Sequence, residues 1–157
     1  MKAPVTPAIR FLRQHKVHFE PHLYRYEPKG GTAASARELG VAEEQVVKTL
    51  VFQDSDRKPL LVLMDGVHEV SLKKLARDLS LKSLEPCKPE VAQKHTGCLV
   101  GGTSPFGIRK DLPVYLEEGI LKHPIIYING GKRGFLVALN PNEIVRILKP
   151  SLVRVGI

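Results

Sequence analysis

The sequence predicts an α+β fold: a curved sheet, largely antiparallel or mixed, with helices set between its strands. Three observations carry this reading. Helical and strand periodicities follow one another without the regular βα alternation of a parallel fold. Strong turn signals join neighbouring strands at 54–59 and 129–134. A chain of 157 residues, 43% hydrophobic and 25% charged, has the size and composition of one domain around one core. Residues 1–157 are therefore read as a single domain.

Thr6-Pro7 is a cap and first-turn pair, and Ala8, Ile9, Phe11 and Leu12 give one apolar side to a first helix ending near Lys16. Val17, Phe19, Pro21 and Leu23 alternate with His18, Glu20, His22 and Tyr24, the period of a strand, and Pro21 assigns it to an edge or a bulge. Thr32 is the expected cap of a short helix through Leu39, with Gly40 just past its end. Residues 46–53 and 60–64 form two strands of a hairpin. Ser71 opens an amphipathic helix in which Leu72, Leu75, Ala76 and Leu79 share a face. A shorter helix over 89–95 stops at Gly97, and 98–100 is expected to be a short strand. Strands follow at 113–116, 124–128 and 135–139, with 129–134 as a turn. Asn140-Pro141-Asn142-Glu143 reads as a capping box for a last helix to about Leu148. Pro150 ends it, and 151–155 is a final strand.

Lys plus Arg is 24 and Asp plus Glu is 16, giving a net charge of 24 − 16 = +8. No long block of like charge produces this, so a folded basic face is expected, with a polyanion such as nucleic acid as partner. The longest apolar runs are far short of the ~20 residues needed to cross a bilayer, and the N-terminus lacks an apolar signal core. No membrane partner is expected. Cys87 and Cys98 fit no CxxC motif and read as free thiols in a reducing cytoplasm. Phosphate-loop, GxGxxG and GxSxG signatures are all absent.

Three segments carry candidate chemistry. Lys48 interrupts an apolar strand, where an ammonium is costly unless it reaches water or a partner. It either points into a pocket to hold an anionic or carbonyl group, or snorkels from an edge strand. Gly101, Gly102, Thr103, Ser104, Pro105, Phe106 and Gly107 form a loop that is either a ligand cradle of main-chain N–H groups or a tight connection. Asn129, Gly130, Gly131, Lys132, Arg133 and Gly134 make either an ordinary hairpin turn or one whose Lys132 and Arg133 meet phosphate. His22 and Tyr24 stand on one strand face, where they could line a pocket beside Lys48; the spacing identifies no third ligand, and no metal is expected.

In this order and separation, Phe19…His22…Tyr24, Val47-Lys48-Thr49-Leu50, the Val100-Gly101-Gly102-Thr103-Ser104-Pro105-Phe106-Gly107 segment and Ile126-Tyr127-Ile128-Asn129-Gly130-Gly131-Lys132-Arg133-Gly134 resemble the YbaK/EbsC family. These are freestanding aminoacyl-tRNA deacylases related to the editing domain of bacterial prolyl-tRNA synthetase. The resemblance runs from about Thr6 to Leu148. It implies a curved, partly barrel-like mixed sheet flanked by helices around one pocket. It also implies cleavage of the ester joining a wrong amino acid, cysteine foremost, to tRNA(Pro), with no metal and no cofactor.

By the same resemblance Lys48 matches the family's key lysine, and Tyr24, Thr49 and the loop of Gly101, Gly102, Thr103, Ser104 and Pro105 match other pocket positions. Aminoacyl-tRNA is then the partner, prolyl-tRNA synthetase a further one, DNA is not expected, and the cytoplasm is the implied location. Two departures bear on specificity. Asn129 stands where members often carry serine, and Phe135-Leu136-Val137-Ala138-Leu139 lacks the acidic residues often found there. An alanyl-tRNA(Pro) or broader deacylase, a catalytically silent tRNA- or synthetase-binding module, and a hydrolase of small aminoacyl esters are the competing readings.

Overall fold

The computed structural model describes residues 2–157. Five α-helices, α1 (Pro7–Gln14), α2 (Gly31–Leu39), α3 (Leu72–Asp78), α4 (Pro89–Thr96) and α5 (Asn142–Leu148), accompany eight strands. The strands are β1 (Glu20–Leu23), β2 (Val46–Asp54), β3 (Pro59–Asp65), β4 (Leu84–Pro86), β5 (Val114–Glu117), β6 (Ile126–Lys132), β7 (Phe135–Leu139) and β8 (Ser151–Val153). They form one sheet in the order β1-β7-β6-β2-β3-β5-β8, with β4 joined to β2. The fold is α+β and the sheet mixed, as expected. The barrel-like tendency stops short of closure, because β1 and β8 end the order unpaired with each other.

β2 and β3 form the anticipated hairpin, with Lys48 opposite Met64 and Thr49 opposite Leu63. Alternation along these strands divides the core. On one face α1 and α5 cover Val47, Leu63, Phe135, Val137 and Ile128 with Ile9, Leu12 and Ile144. On the other face the cover comes in two pieces. Ala36 and Leu39 of α2 pack on Val46 and Leu136. Leu75 and Ala76 of α3 pack on Phe52, Val62 and Met64. Lys48 lies in the gap between them, on the same side of β2 as Val46 and Phe52.

A second gap opens along the edge of β2. β6 pairs with it in parallel only at Val46 and Val47. β4 pairs with it only from Phe52 to Asp54. From Lys48 to Val51 no strand borders that edge; the Cys87 N–H donates to the Val51 carbonyl at its far end (3.0 Å).

Several local expectations change. Thr32 does not cap α2: Gly30 holds that position, and the Thr32 hydroxyl donates to Glu43 Oε2 (2.8 Å) and the Gly66 carbonyl (3.2 Å). Residues 98–100 are not a strand; Leu99 and Val100 are exposed and find no strand partner. The strand expected from Val17 starts only at Glu20, and it is an edge strand, as Pro21 requires. Asn129, Gly130 and Gly131 belong to β6, whose register slips between Asn129 and Lys132, so the turn is confined to Arg133 and Gly134. The capping box does not form: Pro141 holds the cap position of α5 without a side-chain cap bond, Asn140 Oδ1 accepts the Asn142 N–H (2.9 Å) one residue earlier than a box needs, and the Glu143 carboxylate pairs with Arg146. Strand β4 has no counterpart in the sequence reading.

Candidate active site

The two gaps around β2 merge into one cleft of about 840 Å³. Its floor is β2 from Val46 to Phe52. Tyr24, Tyr26, the first turn of α2, Pro86, Cys87, Ala92 and the loop residues Val100, Gly101 and Thr103 line its sides, with Tyr26 against Gly101. Both Lys48 and Thr49 line it, although neighbours in a strand point to opposite faces. The uncovered edge of β2 lets the cleft reach both.

The Lys48 side chain is 20% exposed, and its Nζ lies 3.5 Å from Glu69 Oε1, on a carboxylate that is 81% exposed. Thr49 Oγ1 is buried and finds no hydrogen-bond partner among the described residues. An orphaned buried hydroxyl costs about 1–3 kcal/mol, so Thr49 is suited to meet a polar group that enters the cleft. The remaining charged side chains of the lining are Glu27, Lys29 and Arg133. Glu27 is engaged by Arg37 at 2.9 Å.

The upper rim is two glycine loops held together by side chains. Asn129 Nδ2 donates to the Gly101 carbonyl (3.3 Å), while its Oδ1 accepts the N–H groups of Gly131 (2.6 Å) and Lys132 (3.0 Å). Arg133 Nε donates to the Val100 carbonyl (2.8 Å), and its guanidinium lies 5.1 Å from the centre of the Tyr26 ring. Gly102 is buried against the backbone of the facing loop: a Cβ there would lie 2.7 Å from Arg133 N and 2.9 Å from the Lys132 carbonyl carbon. Helix α1 underpins both loops. The Thr6 hydroxyl caps the helix at Ile9 N–H (3.1 Å) and donates to the Gly130 carbonyl, and Gly107 abuts the Pro7 carbonyl.

Of the residues singled out in the sequence, Tyr24, Lys48, Thr49, Gly101, Thr103, Asn129 and Arg133 come together along the cleft. His22 lies outside the lining, with its ring edge-on to Tyr127 at 5.6 Å and Nε2 3.2 Å from Glu20. Ser104 is fully buried and accepts the Phe106 N–H through its Oγ (3.2 Å). Gly102, Pro105, Gly107, Gly130 and Gly131 shape the loops from behind, and Lys132 is exposed on the rim. The sequence reading missed Tyr26, Glu27, Lys29, Glu69 and Cys87. Tyr26 continues the period-two spacing of His22 and Tyr24 and could have been found from it; the others carry no local signal.

Burial raises the Tyr24 hydroxyl pKa above its ordinary value, and the Gly134 backbone partly offsets this. Burial also raises the Cys87 thiol pKa, with a smaller push from Glu85, so this thiol stays protonated at neutral pH. Cys87 and Cys98 are both free. Among the described residues, no three His, Cys, Asp or Glu side chains converge as a metal site would need, and no helix is long and apolar enough to cross a membrane.

A floor lysine in a cleft rimmed by glycine loops can hold a polarised carbonyl and the charge that develops on it. Comparisons with known proteins identify the family. Residues 27–147 match the family described as the aminoacyl-tRNA editing domain. An Enterococcus faecalis protein named as a candidate Cys-tRNA(Pro)/Cys-tRNA(Cys) deacylase, EbsC, is 32% identical over 143 residues, 90% of this chain and 87% of that protein. A proline–tRNA ligase of Levilactobacillus brevis is 34% identical over 86 residues, 55% of this chain but 15% of the ligase. A solved structure described as a candidate trans-editing enzyme for prolyl-tRNA synthetase superposes with a TM-score of 0.86 at 24% identity, covering 98% of this chain and 99% of the other. That last likeness concerns the fold alone.

Proposed function

The chain belongs to the aminoacyl-tRNA editing domain family, and on that premise we propose that it is a freestanding deacylase that removes wrongly attached cysteine from tRNA(Pro). Residues 1–157 act as one unit. The observation that carries the reading is the placement of Lys48 at the interruption of the apolar cover, on the floor of a cleft roofed by the two glycine loops. The cysteine preference is supported by the Enterococcus relative's name, and tRNA(Pro) by that name and the ligase likeness.

An aminoacyl ester is already activated, so the protein's task is to position it. Lys48 orients the carbonyl end of the ester, and loop N–H groups stabilise the oxyanion. For a cysteinyl ester the attacking group is the substrate's own thiol. A sulfur–carbonyl bond forms, the carbon–oxygen bond to the ribose breaks, and the thiol proton ends on the ribose oxygen. Water takes the place of the thiol for other amino acids, leaving the free amino acid and the ribose hydroxyl. One observation favours alanyl-tRNA(Pro) as a second reading: β7 carries only apolar, buried side chains where cysteine-type relatives often carry acids.

Release of labelled amino acid from cysteinyl-tRNA(Pro) and alanyl-tRNA(Pro), assayed side by side, tests the reading. Turnover of the cysteinyl substrate is the expected result. Turnover of the alanyl substrate alone keeps the reaction and changes the amino acid. With neither cleaved and tRNA still bound, the deacylase reading fails in favour of a binding module.

Lys29 and Arg133 line the cleft, Lys132 adjoins Arg133, and all three are exposed. Three phosphate contacts predict a log–log slope of tRNA affinity against salt of about −2 to −3, and Lys132→Ala should lower its magnitude by about one. Filter binding across a salt series checks this; a flat dependence contradicts phosphate recognition by the rim.

A further inference from the structure

An esterified amino acid brings two polar features to the cleft: a carbonyl, and an α-ammonium two bonds from it. Lys48 suits the first but repels the second. Only two carboxylates line the cleft among the described residues, Glu27 and Glu69, and Glu27 is already committed to Arg37 at 2.9 Å. Glu69 lies 3.5 Å from Lys48, so the two present opposite charges side by side, the complement of the substrate's own pair.

The Glu69 backbone is firmly held. Its N–H donates to the Ile157 carbonyl (3.0 Å) and its carbonyl accepts the Ile157 N–H (2.9 Å). The loop leading to it is fixed by Asp65 Oδ1, which accepts the N–H groups of Val67 and His68 (both 3.1 Å), and by the Thr32 hydroxyl on the Gly66 carbonyl (3.2 Å). Such tethering is what a recognition group needs, because little ordering remains to be done on binding. The carboxylate itself is exposed, and its contact with Lys48 is long, so a closer cation can capture it.

We propose that Glu69 receives the α-ammonium of the esterified amino acid while Lys48 takes its carbonyl, an assignment that rests on the deacylase reading above. The pair then tells an aminoacyl ester from an ester without an amino group.

The test compares cysteinyl-tRNA(Pro) with the same tRNA carrying the des-amino 3-mercaptopropionyl group, in wild type, Glu69→Gln and Glu69→Asp. Glu69→Gln should slow the amino substrate about tenfold, leave the des-amino substrate unchanged, and be partly rescued by Glu69→Asp. An α-amino group loses its proton near pH 7–8, so the Glu69 contact is present below that range and lost above it. The wild-type kcat/KM for the amino substrate should fall through it, and the fall should vanish in Glu69→Gln. Lys48 beside Glu69, His68 next in the loop, and Glu27, Lys29 and Arg133 across the cleft are common to both proteins, so the difference isolates Glu69. Equal slowing of both substrates would overturn the proposal and leave Glu69 as a positioning residue for Lys48. No slowing of either would overturn it outright. Wild type inactive on both substrates would remove the proposal together with the cysteinyl-tRNA reading on which it rests.

Discussion

Lys48→Ala will lower kcat/KM for deacylation by roughly 100- to 1,000-fold, the usual loss when a preorganised partner of a developing oxyanion is removed. The fold should survive. The ion pair being deleted involves a carboxylate that is 81% exposed, and such pairs contribute about 0–1 kcal/mol. Lys48→Met keeps most of the aliphatic stem against the floor and removes only the charge, so it should lose the same activity with an unchanged melting temperature. Lys48→Arg should recover only part, because a planar fork replaces a compact ammonium. Steady-state deacylation beside thermal melting checks all three. Normal turnover by Lys48→Ala would remove the lysine from the chemistry.

Gly102→Ala will disable the site by a different route, with a loss of about 100-fold. The added methyl would lie 2.7 Å from Arg133 N and 2.9 Å from the Lys132 carbonyl carbon. Both are backbone atoms and cannot swing aside as a side chain would, so the loop must move away. Its displacement strains the Asn129 bridge to the Gly101 carbonyl. A shift near 1 Å at a reacting centre costs about 100-fold, and overpacking of this kind destabilises by about 1–3 kcal/mol. Gly119→Ala is the matched control, since nothing lies within 4 Å of its Cβ position. Assay and melt together decide: wild-type activity in Gly102→Ala would show that the loop tolerates displacement.

What could be read from the sequence was what short stretches determine. The β2–β3 hairpin and α3 follow from patterns complete within the 20 residues from Val46 to Asp65 and the seven from Leu72 to Asp78. Lys48 stood out because a charge in an apolar strand needs a reason. Strand β4 was invisible: its three residues include a proline, and it exists through pairing with β2 some thirty residues earlier. Thr32 had the right chemistry for a cap, but Glu43 and Gly66, distant in sequence, offered its hydroxyl better partners. Leu99 and Val100 looked like a strand because apolar residues usually have cover; here they stay exposed beside the cleft. Asn129 was recognised as part of a turn, but its three bonds depend on a register slip that no local pattern encodes. Glu69 was missed for the same reason, since its place is set by pairing with Ile157.

The uncovered stretch of β2 has a consequence for solubility. A bare strand edge invites pairing with another chain, and runs such as Val46-Val47 and Leu50-Val51-Phe52 are well suited to it. Here the edge is recessed between α2 on one side and the β4–α4 segment on the other. Lys48 also breaks the apolar run with an inward charge, one of the devices by which sheets resist edge-to-edge association. The open edge is therefore shielded from pairing with another chain. Substitutions that make β2 uniformly apolar carry an aggregation hazard of their own, separate from any loss of catalysis.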